Sequence, residues 1–218
     1  TRRCIIWPCM IRLVGDEVYK GCSYGWVVIL GHEGGKIYLL NPLTGAKIDL
    51  PPRSTFPDVK EYSGLSYHRS NPATDSDYVA VANYGEYNGL AYCKRGEDKW
   101  TSLIEDGTYH DFIFYKGKLY IICCSTTVTT INIFSYDPQV EDIIPPCPDR
   151  KAKLGEKYLV ESSSGLLMVQ RLRLVSSNPD EKSEILSSYR TTTFNVFRLD
   201  EGCLRWERIS DIGDDEHG

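Results

Sequence analysis

Histidine and methionine are scarce in this chain, and basic residues are outnumbered by acidic ones. Against 30 acidic residues stand 25 Lys and Arg, a formal charge of −5 at pH 7, so no overall attraction to a phosphate backbone is expected and nucleic acid is not a predicted partner. The one basic run, Arg150-Lys151-Ala152-Lys153 with Lys157, is short and reads as a solvated loop. Four histidines, at 32, 68, 110 and 217, form no i, i+4 ligand pair, and eight cysteines, at 4, 9, 22, 93, 123, 124, 147 and 203, contain no Cys-x-x-Cys. Zinc sites need such close pairs, so no metal site is predicted. Acidic positions 211, 214, 215 and 216 lack the alternating oxygen spacing of a calcium loop.

Other absences narrow the chemistry further. There is no Gly-x-Gly-x-x-Gly, no Gly-x-Ser-x-Gly and no Gly-Lys-Ser/Thr, which removes the common nucleotide-binding and nucleophile-elbow signatures and leaves no predicted cofactor. No catalytic residue is nominated: His110-Asp111 reads as a polar start to a strand in preference to an acid/base pair. No apolar run approaches the roughly 20 residues that span a bilayer, so no membrane partner is predicted. Without an Asn-x-Ser/Thr acceptor, and with a chain long enough not to need disulfide staples, reduced thiols in the cytoplasm or nucleus are expected. Adjacent Cys123 and Cys124 are expected to be two buried thiols on opposite faces of a strand. The first residue is Thr1, and the chain reads as a piece of something longer.

What the chain does contain is aromatic and β-branched. It has 15 Tyr, 6 Phe and 4 Trp in 218 residues, a palette that suits pleated, half-buried strands. Gly25 to Leu30, Ile37 to Asn41 and the turn Pro42-Leu43-Thr44-Gly45 form one unit of strand, turn, strand and turn, and looser copies follow. Comparable turns fall near 43, 96, 138 and 201, so the period is about 42 to 63 residues. The predicted fold is all-β and β-propeller-like. About four four-stranded units are expected over 21–61, 62–109, 110–156 and 157–213 of one domain, as blades of an incomplete ring.

In the third unit the strands are predicted at His110 to Tyr115, Lys118 to Cys123, Ile131 to Tyr136 and Val140 to Ile144, with a tight turn at Lys116-Gly117. In the fourth, Leu166 to Val175 precedes a polar stretch, 176–193, that reads as a flexible loop. Trp26, Trp100 and Trp206 are expected in the core and between blades. Tyr84, Tyr87 and Tyr109 are also assigned mainly to structure.

Three segments carry a family resemblance. Gly21-Cys22-Ser23-Tyr24-Gly25-Trp26-Val27-Val28, Leu39-Leu40-Asn41-Pro42-Leu43-Thr44-Gly45 with Ile48-Asp49-Leu50-Pro51-Pro52, and Phe194 to Asp200 with Trp206 to Asp214 together resemble the plant F-box-associated β-propeller family. The resemblance implies a protein-binding propeller that presents a protein substrate to a cullin-RING ubiquitin ligase, performs no transfer chemistry itself and is not an enzyme. It implies adaptor binding only through an F-box, and no F-box-like segment occurs in these residues. The family's further apolar strands after Gly213-Asp214 are replaced by Asp215-Glu216-His217-Gly218. Partner-binding residues remain unknown, with 53–61, 104–110 and 145–156 as the expected rim segments. Two alternatives stand beside this reading: an F-box-less, free-standing binding propeller, and a small-ligand-binding or enzymatic propeller with a polar channel.

Overall fold

The computed structural model describes residues 17–23, 25–31, 35–57, 67–69, 78–85, 88–105, 107–148, 154–175 and 189–209. Among these described residues sixteen strands make four four-stranded sheets, each in sequence order or its reverse. The first holds β1 (Val18–Ser23), β2 (Trp26–Leu30), β3 (Ile37–Leu40) and β4 (Lys47–Leu50). The second holds β5 (Tyr67–Arg69), β6 (Val79–Tyr84), β7 (Gly89–Lys94) and β8 (Thr101–Ile104). The third holds β9 (Tyr109–Tyr115), β10 (Lys118–Cys123), β11 (Val128–Ile131) and β12 (Val140–Ile144). The fourth holds β13 (Glu156–Ser162), β14 (Gly165–Val175), β15 (Tyr189–Asp200) and β16 (Arg205–Ile209). None of the sheets closes on itself, and the fold is all-β with propeller-type sheets. Among the described residues no helix is long and apolar enough to cross a membrane.

The chain divides into two compact units. One comprises Thr1–Thr108, Lys116–Leu119 and Ile131–Gln139, the other Tyr109–Tyr115, Tyr120–Thr130 and Val140–Gly218. In the first unit Trp26, Val28, Ile37, Leu39 and Leu50 of one sheet pack with Tyr78, Ala80, Ala82, Ala91, Cys93 and Trp100 of the next. Small alanines facing large rings let the two sheets approach closely, and β6 and β7 are buried along nearly their whole length. In the second unit Tyr115, Ile122, Val128 and Ile144 pack with Leu159, Leu166, Met168, Phe197, Leu199 and Trp206. Three of the fourth strands, β4, β12 and β16, are mostly exposed or half-buried with a single buried position each.

The turns explain the repeated sequence. Asn41 Oδ1 accepts the backbone N–H groups of Leu43 and Thr44 at 3.0 and 3.1 Å, and the Gly45 N–H closes onto the Asn41 carbonyl at 2.8 Å. Gly45 takes a φ of +71° there, which is why glycine ends the motif. Asp200 plays the same part before β16, its Oδ1 accepting from Gly202 and Cys203. Between β9 and β10, Lys116 and Gly117 both have positive φ, 48° and 78°, the conformation a two-residue hairpin favours.

Several expectations are corrected. The third strand of the third sheet is Val128–Ile131, not Ile131 to Tyr136. The Asn132 carbonyl accepts from both the N–H and the Oγ–H of Ser135, which turns the chain out of the ladder and leaves Tyr136 fully exposed. Cys123 ends β10 half-buried and Cys124 lies exposed in the turn beyond it, so the two are not both buried. The strand simply stops one residue earlier than the alternation argument requires. Tyr189 to Thr193, expected within a loop, already pair with β14, because their β-branched threonines continue the ladder. Positions 176–188 lie outside the described residues, as do the N-terminal apolar runs to residue 16, the run 150–153 and the acidic positions 211–216.

Candidate functional site

At the start of β13 the backbone itself is tightly specified. Gly155 has a φ of +69°, and a Cβ built on it would fall on the carbonyl oxygen of Arg171. Only glycine allows β14 to approach so closely. Next to it, Lys157 is 1% exposed, which corrects its assignment to a solvated basic run. Its Nζ donates to the Gly155 carbonyl at 3.1 Å and lies 3.2 Å from Nε2 of His110 on β9. Burial holds the Lys157 ammonium below its ordinary pKa, opposed by the nearby Cys124 thiol. Burial also lowers His110, helped by the Lys157 charge and opposed by Glu156 and Asp111. Where Nε2 accepts from the Lys157 Nζ, the ring proton of a neutral imidazole sits on Nδ1.

Asp111, the neighbour of His110, reaches across to β13. Its Oδ2 accepts the backbone N–H of Leu159 at 2.9 Å, stitching β9 to β13. Both residues of this dipeptide lie in the first half of β9.

A line of amides crosses the fourth sheet from this point. Lys157, Gln170 and Asn195 are successive register partners on β13, β14 and β15, and all three are buried. Arg208 Nη2 donates to Asn195 Oδ1 at 2.8 Å, Asn195 Nδ2 donates to Gln170 Oε1 at 2.8 Å, and Gln170 Nε2 donates to the Leu154 carbonyl at 2.6 Å. Every donor in the line points the same way, so each bond polarises the next. The line ends on the segment leading into β13, holding it in place with Leu154 61% exposed.

Beside it Glu156 gathers cations. Arg173 Nη2 is 2.9 Å and Arg171 Nη1 3.8 Å from Glu156 Oε2, which also accepts from the Tyr158 hydroxyl at 2.8 Å. Burial and that hydrogen bond raise the Tyr158 pKa. The ion pairs are about one-third exposed, so each is worth at most about 1 kcal/mol.

Beyond Arg171 the sheet narrows to two strands. β13 stops pairing with β14 at Glu156↔Arg171, and β16 stops pairing with β15 at Val196↔Ile209. Residues Leu172–Val175 and Tyr189–Thr193 therefore form a ribbon standing past the sheet, with a bulge where Leu172↔Thr193 gives way to Arg173↔Thr191. Arg171 Nε donates to Thr191 Oγ1 at 2.7 Å and braces its root. Phe194, directly across from Arg171, is 59% exposed.

Of the expected rim segments, 145–156 leads into this end of the sheet, although Glu156 is already strand. Within 104–110, Tyr109 and His110 belong to β9, and 53–61 begins with a 3-10 turn, Arg53–Thr55. Tyr84 is buried against Phe56 and Tyr109 meets Phe112 edge-on, while Tyr87 lies outside the described residues. Residue patterns did not single out Gln170, Asn195 or Arg208. Their only signal was a polar side chain inside an otherwise apolar strand. Among the described residues no group of three or more His, Cys, Asp or Glu is placed to hold a metal ion.

A family model described as the KIB1-4 β-propeller matches residues 7–217. An F-box protein of Arabidopsis thaliana is 26% identical over 210 residues, covering 88% of this chain and 53% of its own length. A second F-box protein of that plant is 26% identical over 141 residues, covering 60% of this chain and 39% of its own length. The chain thus spans about half the length, or less, of these curated relatives. Among solved structures, a chain from the S. cerevisiae assembly of Dbp5 with Nup159, Gle1, IP6 and ADP superimposes with a TM-score of 0.51 at 12% identity, covering 92% of this chain and 49% of that one. That likeness is one of fold.

Proposed function

The chain belongs to the KIB1-4 β-propeller family, and we propose on that premise that it is the substrate-recognition propeller of an F-box-type protein, presenting a protein target to a cullin-RING ubiquitin ligase. The observation that carries this reading is the match over residues 7–217 to a propeller family, alongside curated relatives named as F-box proteins. The side-chain arrangement supports it. Apolar residues are spent on packing between sheets, and the polar residues at the end of the fourth sheet hydrogen-bond to one another and to backbone in a way that rigidifies a rim. Propellers commonly use such rigid ends to hold binding segments. On this reading the chain has no catalytic role of its own, adaptor binding belongs to a part of the protein beyond this match, and the work is done in the cytoplasm or nucleus.

The test is affinity purification of the full-length protein from plant extract, scored for the ligase adaptor and for a specific co-purifying protein. Recovery of both is expected. Recovery of neither would sink the proposal.

A further inference from the structure

We propose that the His110–Lys157 contact is an acid-sensitive latch on the segment entering β13: at neutral pH it holds residues 154–157 in place, and protonation of the imidazole loosens them while the rest of the fold stays closed. Every group involved lies in one compact unit.

Two consecutive carbonyls of the segment end on buried side chains. Gln170 Nε2 donates to the Leu154 carbonyl at 2.6 Å and Lys157 Nζ to the Gly155 carbonyl at 3.1 Å, and both side chains are buried. Leu154 is itself mostly exposed, so its apolar packing adds little to the hold. The Gln170 tie does not titrate. The Lys157 tie depends on its neighbour, because Nζ and His110 Nε2 are 3.2 Å apart. At that distance the pair can share one proton between a donor and an acceptor, whereas a second proton sets donor against donor and like charge against like charge away from solvent screening.

Other charges near the pair do not remove this conflict. Glu156 on β13 and Asp111 on β9 favour the protonated ring, and the Cys124 thiol beyond β10 lies near Lys157. Both carboxylates are engaged elsewhere: Glu156 Oε2 with Arg173 and the Tyr158 hydroxyl, Asp111 Oδ2 with the Leu159 N–H. Burial, helped by the Lys157 charge, outweighs them and holds His110 below its ordinary 6.5, so the latch is closed at neutral pH. Once the segment loosens, the ring regains its ordinary affinity for a proton, and the loosened form gains up to about ten-fold per pH unit below 6.5. The Asp111 tie to Leu159 involves no imidazole, which confines the loosening to the residues before it.

The test is hydrogen exchange of the full chain at about pH 7.5 and about pH 5.5, expressed as protection relative to unfolded peptides so that the intrinsic pH dependence cancels. Amides 154–157 are expected to lose at least about three-fold in protection in acid while those of β6 and β7 keep theirs. NMR of the imidazole protons should place the His110 midpoint where the loosening occurs. His110→Asn, whose amide oxygen still accepts from Lys157, should keep the neutral-pH protection and lose the acid response. Asp111→Asn should keep the response. If His110→Asn fails to fold, the coincidence of the two midpoints in the parent chain decides. A smaller loss at 154–157, a loss shared equally by β6 and β7, midpoints that differ, a response that survives His110→Asn, or one abolished by Asp111→Asn overturns the proposal.

Discussion

The indole N–H of Trp100 donates to the carbonyl oxygen of Pro51 at 2.9 Å, fully buried. One hydrogen bond thereby ties the segment entering β8 to the proline that ends β4. Phe56 stacks on the same indole, ring centroids 4.7 Å apart at 11°. Trp206, the second residue of β16, is equally buried at 3% exposure, yet its indole nitrogen has no hydrogen-bond partner among the described residues.

The two tryptophans should therefore respond differently to the same substitution. Trp100→Phe strands the Pro51 carbonyl and should cost about 2–3 kcal/mol, whereas Trp206→Phe loses area but removes an unsatisfied donor and should cost about 1 kcal/mol. Urea unfolding of both variants measures the difference. Equal losses would mean the Pro51 bond contributes nothing.

The His110–Lys157 contact predicts acid sensitivity. The folded state holds His110 below its ordinary 6.5, so between 6.5 and that lowered value the unfolded chain binds a proton that the folded chain does not. Stability contributed by the neutral ring is intact above 6.5 and is lost as pH falls below it. His110→Asn should flatten this part of the profile relative to the parent. Lys157→Met removes a charge that lowers His110, so the ring's pKa should rise, read by NMR from the imidazole protons. An unmoved ring would show that the two groups do not interact.

Two glycines with nearly the same φ should tolerate alanine unequally. Gly45, at +71°, has open space where a Cβ would sit, and Gly155, at +69°, has the Arg171 carbonyl. Gly45→Ala should cost about 1–2 kcal/mol, the left-handed strain alone. Gly155→Ala should cost clearly more, since backbone must move as well. Thermal melts of the pair decide it, and comparable melting temperatures would refute the close approach.

The amide line predicts a local effect at a distance. Asn195→Ala removes the amide that donates to Gln170 Oε1 and should loosen the Leu154 carbonyl's tether, so hydrogen exchange in 154–157 should accelerate while that of β6 and β7 is unchanged. Uniform acceleration across the chain would indicate general destabilisation instead.

How much of this was legible beforehand follows from what kind of pattern each feature leaves. Asn41 to Gly45 could be read as a turn because Asn, Pro and Gly each bring a local conformational preference, and the structure shows those same atoms closing it. Trp26, Trp100 and Trp206 could be placed in the core because nothing else buries so much area; all three are buried. Lys157 could not be placed. By local pattern it belongs to the basic run before it, and only the approach of β14 at Gly155 and of His110 on β9 makes its position an interior one. The strand at Val128–Ile131 was missed for a related reason: Ile131 to Tyr136 alternates as well as any strand, but the Asn132–Ser135 turn outcompetes pairing there.

Taken alone, the order of apolar runs, aromatic residues and turn formers was enough to determine an all-β chain of repeated four-stranded units, because those are properties of neighbours along the backbone. Which polar residues lie inside, which cysteine faces solvent and where the fourth sheet narrows to a ribbon were decided only in three dimensions. Each depends on residues far apart in sequence meeting across a register, and no local preference encodes that meeting.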